Sequence, residues 1–217
     1  MSLFPGRSAL EYMPDQIDYV SLRNAAQGCQ GCDIYKHATQ AVFGEGSLRP
    51  TVMFVGEQPG DEEDLSGHPF VGPAGRLFNK ALEDAGIDRD KTYVTNAVKH
   101  FKWKPQGKRR LHEKAKASEI EACLPWLAAE LEVIAPKILV CLGATAAQAL
   151  LGKDFRVTRE RGRWLASPMA ERVLATVHPS SILRAYDERV RVEQYGMFID
   201  DLRVVTEFLN KGEEAGL

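Results

Sequence analysis

Glu57 and Asp61 follow the apolar run Val52-Met53-Phe54-Val55, in a turn that also holds Gly56, Gln58, Pro59 and Gly60. Four apolar residues breaking into glycines, a proline and acids is the pattern of a buried strand ending at a site. Carboxylates there can accept or direct protons, although a solvated acidic turn reads the same way. Asn96 closes a second run, Thr92-Tyr93-Val94-Thr95, and His178 follows a third over residues 172–177. A side-chain amide carries a donor and an acceptor side by side, and so matches one edge of a pyrimidine better than a charged group does. Phe70 lies on a glycine-rich loop and could stack on such a ring. Taken singly, Phe70 equally suits a core position and Asn96 a turn cap.

A strongly basic segment lies between these tips. Residues 99–116 hold eight basic side chains and one acid, which leaves −9 for the rest of a chain whose formal net charge is −2. The block includes Lys108, Arg109 and Arg110 and is interleaved with His100, Phe101, Trp103 and His112. The overall charge argues against indiscriminate coating of nucleic acid. A local block suits contact with a polyanion at one place, or a solvated loop.

Four cysteines complete the chemistry. Cys29 and Cys32 form a Cys-x2-Cys pair flanked by glycines, and Cys123 and Cys141 follow at a distance. In a chain read as cytosolic, disulfides are not expected. Four thiolates could close one metal centre, and both zinc and an iron-sulfur cluster accept that set. Cys141, inside the apolar run Ile138-Leu139-Val140-Cys141-Leu142, would by itself read as a small core residue.

The elements that must position these groups alternate. Strands are expected over 51–55, 92–95, 137–142 and 172–177, with an edge strand over 164–166. Helices are expected over 17–26, 73–85, 118–135 (kinked or restarted at Pro125), after Gly143 to residue 151, and over 188–209. Residues 1–16 read as a loose arm, 34–46 carry no clear pattern, and the basic segment reads as a loop. This alternation predicts one α/β domain over 1–217, a three-layer α/β/α sandwich around a mostly parallel four-stranded sheet. Parallel strands share a carboxyl edge, so Glu57, Asn96, Gly143 and His178 should gather there. At 44% hydrophobic and 27% charged residues, the composition is that of an ordinary soluble domain. The first residues lack a basic leader feeding an apolar run, and no apolar stretch is long enough to span a bilayer. The expectation is a monomer in the cytosol or nucleoid with no membrane partner.

The motifs Cys29-x2-Cys32, Gly56-Glu57-Gln58-Pro59-Gly60-Asp61-x2-Asp64, Pro69-Phe70-Val71-Gly72-x-Ala74-Gly75, Thr95-Asn96-x-Val98-Lys99 and His178-Pro179-Ser180 resemble, in order, those of the family 4 iron-sulfur uracil-DNA glycosylases. Two departures stand out. Where ordinary members continue after the Asn motif with Cys-Arg-Pro-Pro, this chain has His100-Phe101-Lys102-Trp103, and Gln58 replaces a small residue. Both features are similar to the X-type branch, whose basic loop ends in Lys-Arg-Arg-Ile-His and whose loop histidine bonds to the DNA sugar. Here that loop reads Lys108-Arg109-Arg110-Leu111-His112.

The resemblance implies a 4Fe-4S cluster on Cys29, Cys32, Cys123 and Cys141 that shapes the fold. It implies that Asn96 reads the uracil edge, Phe70 stacks on the base, Gln58 and Asp61 help to enclose it, and His178 donates to the uracil oxygen. His112 would attack the sugar, with Glu57 taking or orienting its other ring proton. Lys108, Arg109 and Arg110 would keep that imidazole neutral and, with Ser180, contact DNA. The substrate implied is uracil-containing DNA, single-stranded by preference because flipping then needs no unpairing. Two alternatives remain open on the sequence: a turnover enzyme releasing a free abasic site, and a cluster-bearing nucleic-acid-binding protein without activity.

Overall fold

The computed structural model describes residues 7–214. Helix α1 (Tyr19–Gln27) is capped by the Asp18 carboxylate, which accepts from the Ser21 N–H at 2.9 Å. A two-residue strand β1 (Glu45–Gly46) precedes β2 (Val52–Gly56), and the acidic stretch after β2 is helical, α2 (Asp61–Ser66). Its four acids occupy the first turn, where the helix dipole favours negative charge, so the expected turn is a helix. Helix α3 (Pro73–Ala85) starts on Pro73 and stops at Gly86, whose φ of +76° closes it in the left-handed region.

Strand β3 (Thr92–Asn96) leads into a hairpin of β4 (Trp103–Gln106) and β5 (Arg109–His112), turning at Gly107 with φ +60°. The basic segment is therefore a hairpin rather than a loop. Helix α4 (Ala117–Ile134) runs through Pro125 without the expected restart. Pro in a helix interior costs about 3 kcal/mol or more. Burial of Cys123, Trp126 and Leu127 on that helix opposes the loss. Then follow β6 (Ile138–Leu142), α5 (Ala144–Leu151), α6 (Val157–Glu160), β7 (Trp164–Leu165), β8 (Arg172–Thr176), α7 (Pro179–Leu183) and α8 (Glu188–Glu214).

The main sheet has the order β1-β3-β2-β6-β8-β7. Its four inner strands are the expected parallel ones, and two short antiparallel edges flank them, β7 where the edge strand was expected and β1 in addition. Inner strands buried on both faces read as unbroken apolar runs, yet their side chains still alternate. Val52, Phe54, Val94, Val140 and Leu174 pack with Phe78 and Leu82 of α3 and with Phe198 and Leu202 of α8. Met53, Val55, Tyr93, Leu139 and Val173 face the other way, onto Leu127 of α4 and Ala146 of α5. This is the three-layer arrangement.

A third cluster lies off the sheet, where Leu22 and Ala26 of α1 meet Cys29, Phe43, Val98, Cys123 and Trp126. Of the loose arm expected over 1–16, the first six residues lie outside the described ones. Ala9–Tyr12 forms one turn of 3-10 helix, with Ala9 buried in this third cluster.

Candidate active site

Strand β2 has β3 on one side and β6 on the other, so the order in which the chain adds strands reverses there. Such a switch point opens a crevice at the carboxyl edge of parallel strands. Here that crevice is a cavity of about 780 Å³ whose lining includes Glu57, Asp61, Phe70, Asn96, His112 and His178. Residues far apart in the chain thus share one space.

Glycine makes the floor possible. A Cβ on Gly56 would stand 2.4 Å from Oδ1 of Asn96 and 2.9 Å from the Phe70 ring, so both groups lie directly over the backbone at the tip of β2. Phe70 itself has φ +60°, a conformation rare for an aromatic residue, and Gly75 leaves the room it needs. The buried Glu63 carboxylate fixes both loops, accepting from the Gly60 N–H at 3.0 Å and the Gly72 N–H at 2.8 Å. Behind Asn96, the fully buried Lys99 ammonium donates to the Asn96 carbonyl at 2.7 Å and pairs with Glu130. Glu130 also accepts from the Tyr93 hydroxyl at 2.8 Å and the Gly44 N–H at 3.1 Å, so this buried ion pair is well provided with hydrogen bonds.

His178 is locked by the turn it opens. The Ser180 N–H donates to its Nδ1 at 3.2 Å, and Ser180 Oγ lies 2.8 Å from the same atom. An amide N–H can only donate, so Nδ1 carries the lone pair and the ring proton sits on Nε2. Burial, reinforced by Arg184 and His112, pushes the His178 pKa down to about 4. The ring is therefore a neutral N–H donor facing the cavity. Ser180, expected against DNA, orients this ring instead and accepts from Arg184 at 3.0 Å.

The hairpin brings His112 to the cavity from outside the sheet. Gln58, whose backbone was expected to help enclose the base, lines the cavity and uses its Nε2 to hold the hairpin's two ends, donating to the Lys102 carbonyl at 3.2 Å and the Glu113 carbonyl at 3.1 Å. Arg110, expected on DNA, is turned inward. Its Nε donates to Asp61 at 2.5 Å and its Nη1 to the fully buried Asp64 at 2.6 Å, between the rings of Phe101 and Trp103. Asp61 is thus tied to the hairpin while still lining the cavity. Lys108 and Arg109 lie at the exposed turn and, among the described residues, have no ion-pair partner.

Desolvation at the cavity lowers the His112 pKa although the residue is still exposed, Glu57 opposes the shift, and Arg184 adds to it. The cation acting on this ring is therefore Arg184, not the neighbouring Lys108, Arg109 and Arg110. Glu57 faces the same space, with Oε2 accepting from the Thr145 hydroxyl at 2.9 Å and Oε1 buried without a partner among the described residues.

The model of the uracil DNA glycosylase superfamily matches residues 43–203 of this chain. The chain belongs to that superfamily. It is 36% identical over 187 residues to the type-4 uracil-DNA glycosylase of Thermotoga maritima, covering 84% of this chain and 90% of that one. The type-4 uracil-DNA glycosylase of Archaeoglobus fulgidus is 36% identical over 175 residues, covering 76% and 82%. That of Pyrobaculum aerophilum is 33% identical over 175 residues, covering 77% and 86%.

Away from the cavity of this superfamily member, three cysteines come together and one does not. Cys29, Cys32 and Cys123 pack in the third cluster. Cys29 Sγ accepts from Trp126 Nε1 at 3.2 Å and from the Gly31 N–H at 3.5 Å, and Cys123 Sγ accepts from the Lys99 N–H at 3.3 Å. N–H donors aimed at sulfur suit thiolate ligands. Cys141 instead points from β6 into the sheet core beside Leu127 and Ala146. Burial pushes both Cys123 and Cys141 up to about 12, but only Cys123 feels Cys29 and Cys32. The expected four-cysteine set is not assembled, because strand alternation commits Cys141 to the core. Among the described residues, no three His, Cys, Asp or Glu side chains converge closely enough for a single ion.

Glu63, Thr145, Arg184 and the Lys99–Glu130 pair escaped the sequence reading. Glu63 had a readable signal, since an acid three residues after a helix cap reaches back to it. Thr145 had a weaker one, as the second residue after a glycine at a strand tip.

Proposed function

We propose that this chain excises uracil from DNA and retains the abasic product through His112. The single observation that carries this reading is that His112 shares one cavity with Glu57, Asn96 and His178. The names of the relatives supply the base. The N-glycosidic bond breaks, its electron pair leaves with the uracil ring, and the Nε2–H of His178 stabilises the charge growing on the ring oxygen. Asn96 and Phe70 hold the pyrimidine by its edge and face. The neutral His112 imidazole donates its lone pair to the electron-poor sugar carbon, and its other ring proton passes to Glu57. The product is a neutral, poorly leaving imidazole on the sugar. Single-stranded DNA is the preferred substrate, with exposed Lys108 and Arg109 on phosphates, and the protein acts as a cytosolic monomer.

A second reading shares the same first half. The free Oε1 of Glu57 could activate water, releasing an abasic site as a turnover enzyme would. Incubation with uracil-containing single-stranded DNA decides between them. A species that survives hot detergent and is abolished by His112→Ala supports retention, whereas several free abasic products per protein molecule support release.

We also propose a 4Fe-4S cluster on Cys29, Cys32 and Cys123. Cys29, Cys32 and Cys123 would hold it in the third cluster, where Cys29 and Cys123 already accept N–H hydrogen bonds. The fourth place falls to the buried His100, which follows Lys99 and stands where the resembling sequences carry the cysteine of Cys-Arg-Pro-Pro. When bound, the cluster cross-links the segment after α1 to α4.

A further inference from the structure

Glu57 can direct a proton only if its carboxylate is held, and its two oxygens are treated differently. Among the described residues Oε1 is buried with no partner, while Oε2 accepts from Thr145 Oγ1 at 2.9 Å. Its backbone is fixed as well, since the Glu57 carbonyl accepts from the Val98 N–H at 2.9 Å.

Thr145 reaches this place because of the turn before it. Gly143, at φ +90°, takes a conformation that L side chains rarely adopt, and a Cβ there would stand 2.8 Å from Cβ of His178. The chain leaving β6 can therefore pass tightly beside His178 and start α5 at the cavity wall. Thr145 is the second residue of α5 and lines the cavity, only 6% exposed. Deeper in a helix, a threonine hydroxyl turns back to the carbonyl one turn earlier. In the first turn no helical carbonyl is available, so the hydroxyl donates across to β2.

We propose that Thr145 is a positioning residue that orients Glu57, occupying Oε2 so that Oε1 faces the proton to be taken. This rests on the reading of Glu57 given above, and it holds whether that proton belongs to His112 or to water. A hydrogen bond to a charged group contributes about 1.5–3 kcal/mol. Losing it corresponds to roughly a tenfold to 100-fold slower step.

The test compares Thr145→Val, which keeps the shape and removes the hydroxyl, with Thr145→Ser, which keeps the hydroxyl. Single-turnover product formation at saturating uracil-containing single-stranded DNA is measured alongside affinity for the same DNA carrying a non-cleavable uracil analogue, and alongside the thermal midpoint. The expected result for Thr145→Val is a rate reduced about tenfold or more, with affinity within about twofold of wild type. Thr145→Ser should restore the rate. If Thr145→Val does not fold, Thr145→Ala against Thr145→Ser carries the same comparison. Wild-type rates in the hydroxyl-free variant, or equal losses in both variants, would overturn the role of Thr145 while leaving uracil excision intact. A wild-type protein that releases no uracil would overturn both.

Discussion

Arg110 Nη1 donates to Asp64 at 2.6 Å, and Asp64 in turn accepts from the N–H and the hydroxyl of Thr39 at 2.9 and 2.6 Å. Three separate segments meet at that carboxylate, so Arg110 staples the hairpin to the shoulder of the cavity two residues before His112. Arg110→Ala should leave Asp64 buried and short of a partner, costing on the order of 2 kcal/mol of stability and slowing attachment to DNA. Lys108→Ala and Arg109→Ala should instead weaken DNA binding and flatten its salt dependence, each by about one counterion. Binding titrations at several salt concentrations, with single-turnover rates, separate the two classes. A steeper loss of salt dependence in Arg110→Ala than in Arg109→Ala would contradict the staple.

The two cavity histidines should part company as pH falls. His112 must keep a ring lone pair to attack, and desolvation at the cavity holds its pKa below the ordinary 6.5, while His178 stays a neutral donor down to about 4. In mildly acidic buffer, covalent product should decline while uracil release continues. Quantifying both products from the same reaction across the pH range checks this, and parallel loss of the two would refute it.

His178 also sets a limit on acid stability. Its folded pKa of about 4 lies below the ordinary value of 6.5. Between those values the unfolded chain binds the proton and the folded one does not. The protein should lose up to ~3 kcal/mol from this residue as pH drops through that window, and nothing above it. Urea denaturation of His178→Asn should show a shallower decline over the same window, and an unchanged slope would show that other groups govern it.

Iron content should sort the cysteines. Cys141→Ala should keep wild-type iron and colour, with a modest stability loss from the core vacancy. Cys29→Ala, Cys32→Ala, Cys123→Ala and His100→Ala should lose much of both. Iron retained by His100→Ala but lost by Cys141→Ala would reinstate the four-cysteine set.

Lys99→Met would strand Glu130 in the core, and breaking a buried pair in this way costs ~3–5 kcal/mol. Adding Glu130→Leu should recover much of that stability. The double variant should still excise uracil slowly, because the Asn96 carbonyl has lost its ammonium donor. Full recovery of both stability and rate would show that the pair only supports the fold.

The strand tips were legible because a parallel sheet writes its strands as short apolar runs, and the residues just past each run must lie on one edge. Glu57, Asn96 and His178 were found that way. The hairpin was not legible, since Pro105 and a dense run of cations hide any alternation, and its aromatic residues pack on Arg110 rather than in the sheet. Side-chain direction was the other blind spot. Motif position placed Gln58, Arg110 and Ser180 near the site but could not say that Gln58 Nε2, the Arg110 guanidinium and the Ser180 hydroxyl bond to the scaffold. For Cys141, the even count of thiols outweighed a strand parity that pointed into the core.

Among the described residues, β4 and β5 pair as strands only with each other, while the main sheet carries Glu57, Asn96 and His178 at its own strand tips. The histidine is thus carried on an element outside the sheet that supplies Asn96 and His178, and it is tied to the pocket through Gln58, Asp61 and Asp64. On the proposed reading, release or retention of DNA is set by this hairpin, and shortening it offers a route from a one-shot trap to a recycling catalyst.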